Sequence, residues 1–351
     1  MMKKWLVMIL VLALAVTMVA CGGEKAPAST DATGETSTAA PQEGTRVIKV
    51  TTKFVDEEQT AISLKKVCEA INERSKGSLD LQVFTSGTLP IGKDAMEQVV
   101  KGADWIVVDG VNFLGDYVPD YNAITGPFLY TTFDEYFAVL NSDIVKELNA
   151  KAAEQNIHVI ELDWVFGFRS METNKPITKP EDMKGLKIRV PESQLYTYTL
   201  EAMGASAMQM PYPDTYAAIQ QGVIDGVEGS IMSYYGTKQY ENCKDYSLTN
   251  HLLGVSAVTI SESVWNSLTD EQRTIIQEEF DKGSQDNLEA TKKLEGEYAE
   301  KLKEYGVKFH EVDAAAFREA AKPVFSKFDK WTPGIYDRIM KVLDEFHKEN
   351  K

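Results

Sequence analysis

The stretch Gly185-Leu186-Lys187-Ile188-Arg189-Val190-Pro191, followed by Met210-Pro211-Tyr212-Pro213-Asp214-Thr215-Tyr216 and then Gln220-Gln221-Gly222-Val223-Ile224-Asp225-Gly226, decides the fold. Leu186, Ile188 and Val190 alternate with Lys187 and Arg189, so the segment reads as a strand with one apolar face, ended by Pro191. Gln194 to Met203 reads as a helix stopped by Gly204, and Asp214 or Thr215 as the N-cap of a helix ending at Gly222. Ile224-Asp225-Gly226-Val227-Glu228 then returns as a strand. Strand, helix and strand in alternation are the signature of an α/β architecture.

The pattern extends in both directions. Val47 to Thr52 reads as a first strand, a helix runs to about Lys76 and stops at Gly77, and Leu79, Leu81 and Val83 alternate as the next strand. Lys93 to Lys101 is helical with Gly102 as its stop, and Trp105-Ile106-Val107-Val108 is a continuous apolar run suited to a buried strand that leads to Asp109-Gly110. Phe133, Tyr136, Phe137, Leu140, Ile144 and Leu148 recur at helical spacing. Ile157 to Leu162 is a short strand running into Trp164-Val165-Phe166-Gly167-Phe168-Arg169, where a crossover between lobes is expected. Beyond the strand Ser256 to Ile260, Thr269 and Gln272 form a capping-box pattern that opens a long amphipathic helix toward Tyr305, long enough to bridge two lobes or to pair chains.

The N-terminus is read as a leader. Lys3 and Lys4 precede an apolar run from Trp5 to Ala20, shorter than the roughly 20 residues of a spanning helix, and Cys21-Gly22-Gly23 follows. Met18-Val19-Ala20-Cys21 looks like a lipobox, which makes residues 1–20 a signal peptide and Cys21 a lipidation site; an ordinary cut near Ala20 and an uncleaved anchor are the alternatives. Residues 21–44, rich in Ser, Thr, Ala, Gly, Pro and Glu, have too little apolar surface to offset chain-ordering entropy and read as a disordered tether at the outer face of the cytoplasmic membrane or in the periplasm.

Charge and residue usage narrow the function. The formal net charge is −16, and removing the leader takes two lysines and no acid, so the field repels nucleic acid; any anion site needs local cations to overcome it. With Cys21 assigned, only Cys68 and Cys243 remain, which excludes a disulfide-dense scaffold and a cysteine-based zinc site; a bridge between them needs Cα atoms within about 7 Å. His158, His251, His310 and His347 are not at metal-ligand spacing, no nucleophile elbow is present, and the glycines form no phosphate loop. The expectation is a protein that is not an enzyme and has no cofactor and no metal.

Arg189 is the candidate that stands out. It lies opposite the apolar face of its strand, toward solvent or a site, and ligands of α/β sheets bind beyond the carboxyl ends of strands. Its planar fork suits a carboxylate, which lysine cannot grip in the same geometry. Across nearly the whole folded body the chain resembles the extracytoplasmic solute-binding proteins of TRAP transporters, carried by Lys187-Ile188-Arg189-Val190-Pro191, Gly167-Phe168-Arg169 and Pro127-Phe128-Leu129-Tyr130. The resemblance implies a two-lobed, periplasmic-binding-protein-like α/β fold with a central ligand cleft and a long helix spanning both lobes. Lobe I is expected at 45–166 plus about 255–294, and lobe II at 167–254 plus about 295–351.

The resemblance also implies a role: capture of an organic acid, anchored by Arg189 with Arg169 as a second arginine and Tyr212 packing over it, and delivery to the integral subunits of a TRAP-type ion-driven symporter. Where the family commonly has glutamate-asparagine this chain has Glu228-Gly229, so a side-chain amide is missing and the ligand class is open. Asp109, Phe54, Trp164 and Phe166 are further lining candidates, each alternatively a core residue. The competing readings are a binding lipoprotein of an ATP-driven importer and a ligand-sensing subunit of a membrane receptor.

Overall fold

The apolar alternations become nine strands in the computed structural model, which describes residues 44–350: β1 (Arg46–Thr52), β2 (Leu79–Phe84), β3 (Trp105–Gly110), β4 (Ile157–Thr173), β5 (Lys187–Val190), β6 (Ser206–Gln209), β7 (Gly226–Ser230), β8 (Asp245–Ser261) and β9 (Lys308–His310). The signal peptide, Cys21 and the tether up to residue 43 lie outside the described residues. All nine strands belong to one sheet of order β2-β1-β3-β8-β4-β7-β5-β6, with β9 beside β8.

Two 17-residue strands hold this sheet together. β4 and β8 pair antiparallel from Ile157↔Ser261 to Thr173↔Asp245, with register shifts between Val165 and Gly167 and between Arg169 and Met171. Gly167, at the first of these shifts, takes a left-handed φ of +103°, which its missing side chain permits. The C-terminal part of β8 pairs with β3, and the C-terminal part of β4 pairs with β7, so each half of the sheet carries its own parallel set: β2, β1 and β3 in one, β7, β5 and β6 in the other. The carboxyl ends of both parallel sets lead to the same central cleft.

Helices cover both halves. Thr269 accepts from the Gln272 amide, and Gln272 returns the bond, so the expected capping box opens the helix Asp270–Glu304. At 35 residues it extends roughly 52 Å. Ile275, Ile276 and Phe280 near its start are buried with Ile48, Leu64 and Trp164 of the first half, and Leu302 near its end with Val227 and Tyr246 of the second. One helix thus joins both hydrophobic cores.

Several elements differ from the sequence expectation. The apolar spacing of Phe133 to Leu148 belongs to two helices, Phe133–Leu140 and Asp143–Glu154, separated at Asn141-Ser142. β8 begins at Asp245, well before Ser256, because its polar residues are satisfied inside the sheet: the Ser247 hydroxyl accepts the Ile177 amide and Thr249 bonds the His251 ring. The closing helix Ile335–Glu349 buries Ile335, Ile339 and Leu343 in the same core as Tyr136 and Leu148, although residues 295–351 were expected with lobe II. Cys68 and Cys243 are separate buried free thiols.

Candidate functional site

A cavity of about 420 Å³ lies between the two halves, where the residues beyond β1, β3, β5 and β6 converge with β4 and β7. Its walls bring together Asp109, Phe166, Arg169, Arg189, Tyr212, Glu228 and Gly229, seven of the nine expected ligand residues. Phe54 stands one layer back, fully buried and edge-on to Phe166 at 5.2 Å. Trp164 is a correction: it is core, packed with Phe280 on the far side of β4, because the register shift turns it away from Phe166.

The two arginines are held differently. Arg169, on β4, donates through Nε and Nη2 to the Glu228 carboxylate at 2.5 and 2.7 Å, and again from Nη2 to the Glu228 carbonyl at 3.0 Å. Burial alone would push the Glu228 carboxyl up, but Arg169, with His251 3.5 Å away, holds it at about 2. Burial likewise works against the Arg169 charge, and Glu228 outweighs it and raises the guanidinium above its ordinary value. This pair is fixed by the fold.

Arg189 has no such partner among the described residues. Its Nε and Nη2 donate to the Met210 carbonyl at 2.9 and 2.7 Å, and its guanidinium lies 5.5 Å over the Tyr212 ring. Only 3 % of the residue is exposed, and burial lowers it to about 10, so it stays charged at neutral pH. In both arginines Nε and Nη2 are occupied, while Nη1 bonds to no described residue. Two guanidinium corners therefore stand in one cavity with hydrogen bonds to give.

Sequence reasoning missed a third cation. Lys53 directly follows β1 and donates to Asp109 Oδ1 at 2.8 Å, with its ammonium 5.1 Å from the Phe54 ring and 5.5 Å from that of Phe166. Asp109 is further pinned by the amides of Gly92 and Gly110. Asn112 was missed as well; it lines the cavity with a buried Nδ2 that has no partner among the described residues. The signal for Lys53 was present, a cation at the carboxyl end of a parallel strand. Asn112 carries none, because it sits in the 3-10 turn Val111–Asp116.

Two more carboxyls border the site. Glu58, ahead of the helix Gln59–Arg74, accepts the Val55 amide at 2.9 Å and the Tyr212 hydroxyl at 3.1 Å, a bond that crosses between the two halves. Burial pushes it up to about 7. Glu172 on β4 is raised well above the ordinary carboxyl range, again by burial. The arrangement suits a small anion: two of the three cations are already matched by Asp109 and Glu228, Arg189 faces no carboxylate among the described residues, and burial shifts Glu58 and Glu172 toward their neutral forms.

Comparison with known proteins identifies the family. Residues 53–330 match the family model of bacterial extracellular solute-binding protein, family 7. A TRAP periplasmic solute-binding protein of Fusobacterium nucleatum, with bound sn-glycerol-3-phosphate, is 70% identical with a TM-score of 0.86, covering 87% of this chain and 99% of that one. One from Desulfovibrio salexigens, in complex with diglycerolphosphate, is 43% identical with a TM-score of 0.85 and coverages of 87% and 99%. One from Actinobacillus succinogenes, with bound L-galactonate, is 31% identical with a TM-score of 0.82 and coverages of 86% and 100%.

Proposed function

Because the chain belongs to bacterial extracellular solute-binding protein family 7, the solute-binding proteins of TRAP transporters, we propose that it captures a small polyhydroxy anion, glycerol phosphates first among them, and delivers it to an ion-driven TRAP symporter. The family is extracytoplasmic and binds solutes rather than transforming them. The observation that carries the ligand reading is Arg189, a buried cation with no acidic partner among the described residues. A buried unpaired charge is costly, so the ligand that closes the cavity must bring an anionic group to it.

A phosphate monoester fits this demand well. Its three terminal oxygens can accept from Nη1 of both Arg169 and Arg189, whereas a carboxylate has two. The Fusobacterium and Desulfovibrio relatives, the more similar of the three, hold glycerol phosphates, which widens the carboxylate expectation to phosphate esters. The second reading is a sugar acid, favoured by the L-galactonate of the Actinobacillus relative. Both ligands join one anionic group to a chain of hydroxyls.

Anchorage through Cys21 is part of the proposal and keeps the binding body near its membrane partner. The lobes are divided at the β4 and β8 crossings, and the Tyr212–Glu58 bond belongs to the closed form.

Thermal unfolding of the protein with sn-glycerol 3-phosphate, L-galactonate and uncharged glycerol tests the ligand reading. At about 100 times its dissociation constant the true ligand adds about 2.7 kcal/mol of stability. Arg189→Ala is expected to abolish that gain. A gain with glycerol itself, or one indifferent to Arg189→Ala, would overturn the anion assignment.

A further inference from the structure

We propose that Glu172 determines specificity by hydrogen-bonding the hydroxyl-bearing end of the ligand from the space that Gly229 leaves open. The inference rests on the anionic ligand held at Arg189 and adds what reads its other end.

Glu172 lies on β4, opposite Val227 of β7 on one side and Tyr246 of β8 on the other, and its side chain lines the cavity. The residue is only 2 % exposed. The other buried carboxyls around the cavity all have partners: Asp109 takes Lys53 and two amides, Glu228 takes Arg169, and Glu58 takes the Val55 amide and the Tyr212 hydroxyl. No described residue hydrogen-bonds the Glu172 carboxyl. An unpartnered carboxyl in a closed cavity loses its water without compensation unless a ligand supplies the bond.

Gly229 is what lets this carboxyl stand there. A Cβ at 229 would come within 2.5 Å of Glu172 Oε1 and 3.6 Å of its Cδ, so any side chain on β7 at this point would displace it. The absent side chain at 229 and the free carboxyl at 172 are therefore one arrangement: the polar contact comes from β4 instead of β7. Burial shifts this carboxyl toward its neutral form, in which it can both donate to and accept from a hydroxyl and repels a nearby anion less.

The test compares sn-glycerol 3-phosphate with n-propyl phosphate, the same ester without hydroxyls, by calorimetric titration of the wild type, Glu172→Ala and Gly229→Ala. The wild type is expected to prefer the glycerol ester by roughly tenfold to hundredfold. Glu172→Ala should bring the two ligands within about twofold of one another, as expected for loss of one hydroxyl contact. Gly229→Ala, which pushes the carboxyl aside, should lower the preference too and carries the test if Glu172→Ala fails to fold. Glu172→Gln, which still donates and accepts, should retain most of it. No preference in the wild type, or a preference intact in both Glu172→Ala and Gly229→Ala, overturns the inference alone. Failure of the wild type to bind either ester overturns the glycerol phosphate reading and this inference with it.

Discussion

Arg169 and Arg189 share a residue type, a cavity and deep burial, yet they differ in what faces them. Arg169 is matched within the protein by both oxygens and the carbonyl of Glu228, so its charge is balanced whether or not a ligand is present. Among the described residues Arg189 meets a carbonyl and an aromatic face and no carboxylate within ion-pair distance, so no fixed acid balances it. Removing one partner of a buried pair leaves the other charge uncompensated, which costs about 3 to 5 kcal/mol. Glu228→Gln is therefore expected to lower the stability of the unliganded protein by that order, measured by urea unfolding. Arg189→Ala should leave the unliganded protein at least as stable, since it removes an unpaired buried charge. The sequence pointed to both arginines, and their division of labour was illegible because Glu228 lies 59 residues from Arg169 and meets it only through the β4–β7 pairing.

The element that shapes the cavity is the paired ribbon of β4 and β8. Its register shift at Val165–Gly167 sends Phe166 toward the cavity and Trp164 into the core, so two aromatics two residues apart and of similar sequence promise end in different places. Gly254 of β8 faces that shift; a Cβ there would lie 2.6 Å from the Gly167 carbonyl and 2.5 Å from Phe166 Cε2. Backbone is the obstacle, so relief requires the ribbon to move. Gly254→Ala is expected to destabilise the protein by about 1 to 3 kcal/mol, as overpacking does, and to weaken ligand binding by displacing Phe166. Unchanged unfolding and titration curves for Gly254→Ala would show that the ribbon yields freely. No periodicity rule locates such a shift, because it is set by how two distant strands align.

At the scale of the whole molecule, the hydrogen bond from Tyr212 of the cavity wall to the buried Glu58 ties the second half to the first. Burial raises the Glu58 carboxyl from 4.5 to about 7. Over that interval the unfolded chain releases the proton while the folded protein keeps it, so this group's stabilising contribution is complete below pH 4.5 and is lost as pH rises toward 7. The change amounts to about 3 kcal/mol at most. Urea-unfolding midpoints are expected to show this decline in the wild type and to lose it in Glu58→Gln. A wild type and variant with parallel pH profiles would place the ionisation of Glu58 elsewhere.

The sequence by itself determined the α/β alternation, the strand that carries Arg189, the capped helix from Thr269 and the resemblance that singled out Arg169 and Arg189 as candidates. These are local matters: a period of two or 3.6, a cap, a glycine stop, a motif within a few residues. Tertiary structure decided which candidates share a cavity, that Trp164 belongs to the core, that β8 starts at Asp245, and that the last helix packs with Tyr136 and Leu148. It also decided that the Glu172 carboxyl occupies the space a side chain at Gly229 would take. Each of these depends on the pairing of segments far apart in the chain, where burial and neighbours, rather than residue type, set whether a side chain is core, charge partner or ligand contact.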